Sequence, residues 1–112
     1  MEASAGSSRL DAINEEVAMY TVVRRYTGAG PLAKAMIERR DDVEEVLRGV
    51  PGFRGYHAFL TSGGTLATIT ICDDRAGTIE STRRAAEWIR KYLAGISVSP
   101  VEITEGEVFL SL

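Results

Sequence analysis

His57 is the single histidine of the chain, and so the side chain whose ordinary pKa lies nearest neutrality. A proton shuttle, or a donor to a ligand carbonyl, would draw on it. The plainer reading is an imidazole satisfied by Thr70 or by a partner's sheet, since no nucleophile or metal-ligand set accompanies it. Arg24 and Arg25 are neighbours in VAMYTVVRRYT, and neighbours on a strand point to opposite faces. A guanidinium that heads into a cavity suits a carboxylate, phenolate or enolate. The competing reading is a salt bridge near the strand end with Glu102, Glu105 or Glu107. Tyr20, Tyr26, Tyr56, Phe53, Phe59 and Trp88 could line a pocket for an aromatic ligand, although such a stripe at strand spacing also serves as plain core. A buried Trp88 would need a partner for its N–H. Cys72, the single cysteine, has no recognisable base beside it and reads as an inert buried thiol. Gly28-Ala29-Gly30 lacks the lysine and further glycines of a phosphate loop.

These residues must be positioned by one domain. The chain has 112 residues, 45% hydrophobic and 26% charged, which is ordinary for a globular domain. Residues 1–16 carry few large apolar side chains and read as a flexible arm, leaving 17–112 to fold. No apolar run approaches the ~20 residues of a membrane helix. The N-terminus has no apolar secretory segment. Thirteen Lys/Arg against sixteen Asp/Glu, a net charge of −3, argue against a general nucleic-acid binder. One cysteine excludes an internal disulfide, and one histidine argues against a His/Cys zinc site. A reduced, cytoplasmic protein is expected.

Val17–Thr27 is rich in β-branched and aromatic residues and predicts a first strand. Neither of its faces is simply polar, so cover on both sides is expected. Pro31 suits a helix start. Leu32, Met36, Val43, Leu47 and Val50 then make one apolar stripe to about Arg48, ended by Gly49 and Pro51. Gly63-Gly64 marks a two-residue turn between the arms Phe53–Thr61 and Thr65–Asp73. That turn pairs Leu60 with Ala67, Ala58 with Ile69, Tyr56 with Ile71 and Arg54 with Asp73 on an aliphatic face. Phe59 with Thr68, His57 with Thr70 and Gly55 with Cys72 share the other, mixed face. Asp73-Asp74 can cap a second helix to about Ala94, with a core stripe of Ile79, Ala86, Ile89 and Leu93. Val101–Leu112 predicts the last strand, with a bulge or bend at Gly106.

The order is β-α-β-β-α-β, the ferredoxin-like motif, a four-stranded antiparallel sheet with two helices on one face. Its open face is too apolar for plain solvent surface, so a second copy stacked sheet to sheet is expected. An RNA-recognition domain on this fold needs exposed aromatics on its central strands, and the third strand, TLATITICD, has none. A metal chaperone would need a Cys-x-x-Cys, which is absent.

The strand AMYTVVRRYTG, the helix ending before VPGFRGYHAF, the Gly-Gly hairpin and the helix around AAEWIRKYL resemble the dimeric α+β barrel superfamily. Within it they resemble the antibiotic biosynthesis monooxygenase-like group, over residues 17–112. The resemblance implies a homodimer with a cavity between sheet and helices or at the sheet interface. Members of that group include cofactor-independent oxygenases of aromatic polyketides, haem-degrading enzymes, isomerases and proteins without known activity. A haem-degrading member would place an axial histidine on a helix, whereas His57 falls on a strand. The expectation is a monooxygenase-like protein that needs no cofactor or metal and binds a small aromatic or polyketide-like ligand. Tyr20, Arg24 and His57 are its candidate catalytic residues, and Tyr26, Phe59, Thr68 and Thr70 its candidate ligand contacts. They gather on one face if the first strand turns its even-numbered residues to the open side of the sheet. The alternative is a non-catalytic homodimer that binds a small ligand or serves as a scaffold.

Overall fold

The computed structural model describes residues 19–95 and 98–112. The N-terminal arm and the first two residues of the expected first strand lie outside that range. The elements are β1 (Tyr20–Tyr26), α1 (Gly30–Glu38), α2 (Arg40–Arg48), β2 (Phe53–Leu60), β3 (Leu66–Cys72), α3 (Arg75–Tyr92) and β4 (Glu102–Glu107). The sheet is antiparallel throughout, in the order β2-β3-β1-β4. This is the expected ferredoxin-like arrangement, with three helices in place of two. No helix among the described residues is long and apolar enough to cross a membrane.

All helices cover one face of the sheet. Tyr26 and Leu66 from the strands pack with Ala29, Leu32, Trp88 and Ile89 to form the core. Full burial of each large apolar side chain there contributes about 1.5–3 kcal/mol. Ala29 is fully buried, and its N–H donates to the Gly64 carbonyl at 3.1 Å. That bond ties the start of α1 to the hairpin tip. Asp74 caps α3 as expected, its Oδ1 accepting from the Gly77 N–H at 3.0 Å.

Four local expectations are corrected. The first helix breaks at Arg39 (φ −114°, ψ 39°), where the polar run Arg39-Arg40-Asp41-Asp42 interrupts the apolar stripe. The stripe resumes at Val43, and Asp41 and Asp42 sit favourably in the first turn of α2. The buried face of α3 is also rotated from the expected stripe. Ile79 is half exposed and Ala86 exposed, while Gly77, Thr78, Ser81, Trp88 and Ile89 are buried. Small and hydroxyl side chains line its first half because a buried arginine lies beneath them. The last strand ends at Glu107; beyond it Phe109 and Leu110 are exposed. Gly106 pairs with Thr21 within an unbroken register, without a bulge.

The fourth correction concerns the hairpin. Thr61 N–H donates to the Thr65 carbonyl, Gly64 N–H donates to the Thr61 carbonyl, and Gly64 has φ +86°. Ser62-Gly63-Gly64 is thus a three-residue loop with its last glycine left-handed, not a two-residue turn. The pairing slips by one residue. His57 lies opposite Ile69 and Phe59 opposite Ala67, while Tyr56 meets Thr70 and Ala58 meets Thr68. A bulge between Phe53 and Gly55 leaves Arg54 free to pair with Asp73.

Candidate functional site

Alternation along β1 turns Tyr20, Val22, Arg24 and Tyr26 towards the helices, and Thr21, Val23 and Arg25 towards the open face. The register with β3 aligns Arg24 with Thr68 and Val22 with Thr70. Arg24 is 1% exposed. Its Nη1 donates to Thr82 Oγ1 at 3.0 Å and to Ser81 Oγ at 3.3 Å, both on α3, and its Nη2 donates to Thr70 Oγ1 at 3.1 Å. Every one of these partners is a hydroxyl. Among the described residues, a permanent cation has thus been taken out of water without a carboxylate to balance it, an arrangement that costs several kcal/mol of desolvation.

Three buried polar atoms make no hydrogen bond of ordinary length and angle among the described residues: Arg24 Nε, Thr68 Oγ1 and Trp88 Nε1. The Tyr56 hydroxyl lies near Thr68 and Arg24, and the Tyr26 hydroxyl near Arg24. Arg24, Thr68 and Trp88 line one chamber of about 40 Å³ between sheet and helices, walled by Leu32, Val46, Ala85 and Ile89. Tyr26 and Tyr56 line it too. Burial pushes both phenols above their ordinary value, and the Arg24 charge offsets part of the rise. They therefore remain neutral O–H groups. The lining has several donors and no carboxylate. Such a chamber fits the oxygen of an acid, phenolate or enolate.

Met36, Val43, Leu47 and Tyr56 also line a second, wider space. It is a groove of about 500 Å³ between the α1–α2 pair and the edge strand β2, with Ile37, Phe53, Phe59 and Leu60 among its walls.

The structure brings together Arg24, Tyr26, Thr68 and Thr70. It does not bring His57 or Tyr20 to them. His57 is exposed on the open face, in a row with Ile69 and Val23. The one-residue slip and the orientation of β1 together place it on the far side of the sheet from Arg24. Tyr20 stands at the other end of the helix-facing row, opposite Cys72 and Glu107 and beside Arg75. It lines neither the chamber nor the groove. Phe59 belongs to the groove. Arg25 takes the salt-bridge reading, with Glu102 at 3.4 Å. Cys72 is buried, and its burial pushes the thiol above its ordinary value, as an inert cysteine requires. Ser81 and Thr82 are parts of the site that the sequence reading missed, while Tyr56 and Trp88, named there among the possible pocket aromatics, join it from outside the candidate set. Ser81 and Trp88 lie two helical turns apart, and that spacing was the available signal.

No family model matches the chain, and no curated protein sequence does. Solved structures do. A protein of unknown function from Nitrosomonas europaea, NE2512, aligns at 14% identity and a TM-score of 0.64, over 86% of this chain and 94% of that one. SnoaB, a cofactor-independent oxygenase from Streptomyces nogalater, aligns at 14% identity and a TM-score of 0.60, over 85% and 97%. A candidate antibiotic biosynthesis monooxygenase from Chloroflexus aurantiacus aligns at 14% identity and a TM-score of 0.59, over 84% and 96%. At such identities the likeness speaks for the fold alone. The chain has a ferredoxin-like α+β fold, which it shares with these structures.

Proposed function

We propose that this protein binds a small aromatic or polyketide-like ligand through an acidic oxygen, and oxygenates it without a cofactor. One observation carries the reading: among the described residues, a buried arginine without a carboxylate partner and two further unpartnered buried groups converge on one chamber. Arg24 Nε and Trp88 Nε1 would donate to the ligand oxygen, with Thr68 Oγ1 beside them. A phenol seated against a buried cation ionises more readily, because the charge favours the phenolate. The electron-rich ring carbanion of that phenolate can reduce O₂ directly. One oxygen atom enters the substrate as a carbonyl and the other leaves as water, with the hydrogens of the oxidised ring CH₂. The apolar walls would keep water from the intermediate. A homodimer in the cytoplasm is part of this proposal; the apolar open face and the lone reduced cysteine support it.

The chamber lining holds no imidazole, carboxylate or thiol. That observation favours a second reading, a binding protein without turnover. Oxygen uptake with a hydroxylated anthrone separates the two. Turnover by wild type and its loss in Arg24→Met supports the oxygenase. Saturable binding of the anthrone with no oxygen uptake leaves the binding protein. Equal binding by wild type and Arg24→Met defeats both.

A further inference from the structure

The three unpartnered atoms meet in a small chamber, and two ligand-sized spaces flank it. One, of about 550 Å³ by α3 and β4, reaches Arg24, Tyr26 and Thr82 but neither Thr68 nor Trp88; the other lies beside β2. The chamber that holds Arg24 Nε, Thr68 Oγ1 and Trp88 Nε1 has about 40 Å³, room for roughly three waters at 10–15 Å³ each. Sites that enclose a drug-sized ligand start near ~300 Å³. The groove beside β2 has about 500 Å³ and is walled mainly by apolar side chains, with Arg40, Glu44, Arg48 and Arg54 also in its lining; Arg48 is paired with Glu44 and Arg54 with Asp73. The chamber and this groove share Met36, Val43, Leu47 and Tyr56, so these four side chains stand between them. Met36 is the most adaptable of them, and it stands three residues before the helix break at Arg39. Around the groove Ile37, Phe59 and Leu60 are 76%, 52% and 47% exposed. Three large apolar side chains exposed around one groove mark a binding surface more than a random scatter does.

Resting on the reading of the chamber as an oxyanion site, we infer that the ligand straddles the chamber and the groove. Its acidic head reaches Arg24 past Met36, Val43, Leu47 and Tyr56, and its apolar body lies in the groove along β2. The ligand class is an elongated, amphipathic acid, fused-ring or long-chain, with a single acidic oxygen group at one end. The groove is thus the entry and the determinant of ligand size, while the chamber selects charge.

The test is calorimetric titration of the whole chain with benzoate, 2-naphthoate and 2-anthroate. Three proteins are compared: wild type, Arg24→Met, and the double variant Ile37→Ser with Leu60→Ser. The last two side chains are exposed and line the groove alone, so the double variant should fold. In wild type the affinity should rise roughly tenfold with each added ring. The double variant should bind benzoate as wild type does and lose roughly tenfold on 2-anthroate. Arg24→Met should lose all three acids. If Arg24→Met matters but affinity is flat across the series, or the double variant loses nothing on 2-anthroate, the straddling arrangement is wrong and the oxyanion chamber stands. If Arg24→Met binds the acids like wild type, or wild type binds none of them, both fall.

Discussion

Arg24 is a residue whose stability role and functional role pull in opposite directions. Its guanidinium is buried among hydroxyls and leaves Nε unpartnered. Replacing a buried charge by an apolar side chain of similar length is often neutral or stabilising. Ser81 and Thr82 both donate to the Thr78 carbonyl and keep that bond without the arginine. Arg24→Met is therefore expected to leave unfolding free energy unchanged or raise it by about 1 kcal/mol, measured by urea denaturation. The same variant should lose binding of aromatic acids. A protein that became markedly less stable would mean that the arginine is structural. His57 carries the converse expectation. Lying across the sheet from the chamber, it can be changed to alanine with less than about twofold effect on ligand affinity, measured by titration, because no chamber wall is disturbed. The arginine was legible in the sequence as a cation with one neighbour of each facing. Its side of the sheet was not, because an Arg on the same strand face as Tyr20 and Tyr26 does not look like core until Thr70, Ser81 and Thr82 are seen to converge on it.

The element order, the capping of α3 by Asp74 and the apolar stripe of the first helical segment could all be read from periodicity and local chemistry. Each depends on residues close together in the chain. The hairpin register could not, since Gly63-Gly64 satisfies both a two-residue turn and a three-residue loop with a left-handed final glycine. One residue decides between them, and with it the face of every side chain on β2. The packing of α3 is also a long-range property. Gly77 reads as a weak point in a helix, where alanine is ordinarily better by about 1 kcal/mol. Here a Cβ would stand 2.7 Å from the Pro51 carbonyl oxygen and 2.8 Å from Cys72 Cβ. Gly77→Ala should therefore destabilise the fold by about 1–3 kcal/mol, seen as a lower urea midpoint at constant slope. A midpoint that rises would show that α3 does not seat this closely on the Pro51 turn. The outer side of the same helix supplies a pH-dependent element. Hydrogen bonds from Arg83, and then from Arg84, hold the Glu80 carboxyl at about 2, below its ordinary 4.5. Since the folded value is depressed, the ionised form favours the fold. That contribution is complete above about 4.5 and drains away as pH falls towards 2. The helix-surface setting keeps it modest. Thermal melts of wild type and Glu80→Gln should differ at pH 6 and converge near pH 2; a constant gap would separate the residue from the acid response.

At the scale of the whole molecule, the described residues cover one face of the sheet and leave the other open. Val23, Ile69 and Ile71 are half buried at the centre of the open face, with Ala67 between strands. Arg25, Glu102 and His57 lie around them as a polar rim. An apolar centre with a polar border is the anatomy of a subunit interface. Stacking two copies sheet to sheet would bury this face, and a stable interface needs about 1,000 Å² or more in total. The exposed Phe109 and Leu110 beyond β4 offer further apolar area at the sheet's end. Light scattering of wild type at micromolar concentration should therefore return twice the mass of one chain. Ile69→Lys should return the mass of one chain, since a lysine at the centre would meet its own symmetry neighbourhood in an isologous pair. The chamber opens on the helix side, so the monomeric variant should still bind an aromatic acid. It should also be less stable, and its melting temperature should stop rising with concentration as a dimer's does. Single-chain mass for wild type would leave the open face without its partner. Loss of acid binding in a folded Ile69→Lys monomer would mean that the second copy shapes the chamber, and that the two faces of the sheet are coupled through β3, where Ile69 is flanked by Thr68 and Thr70.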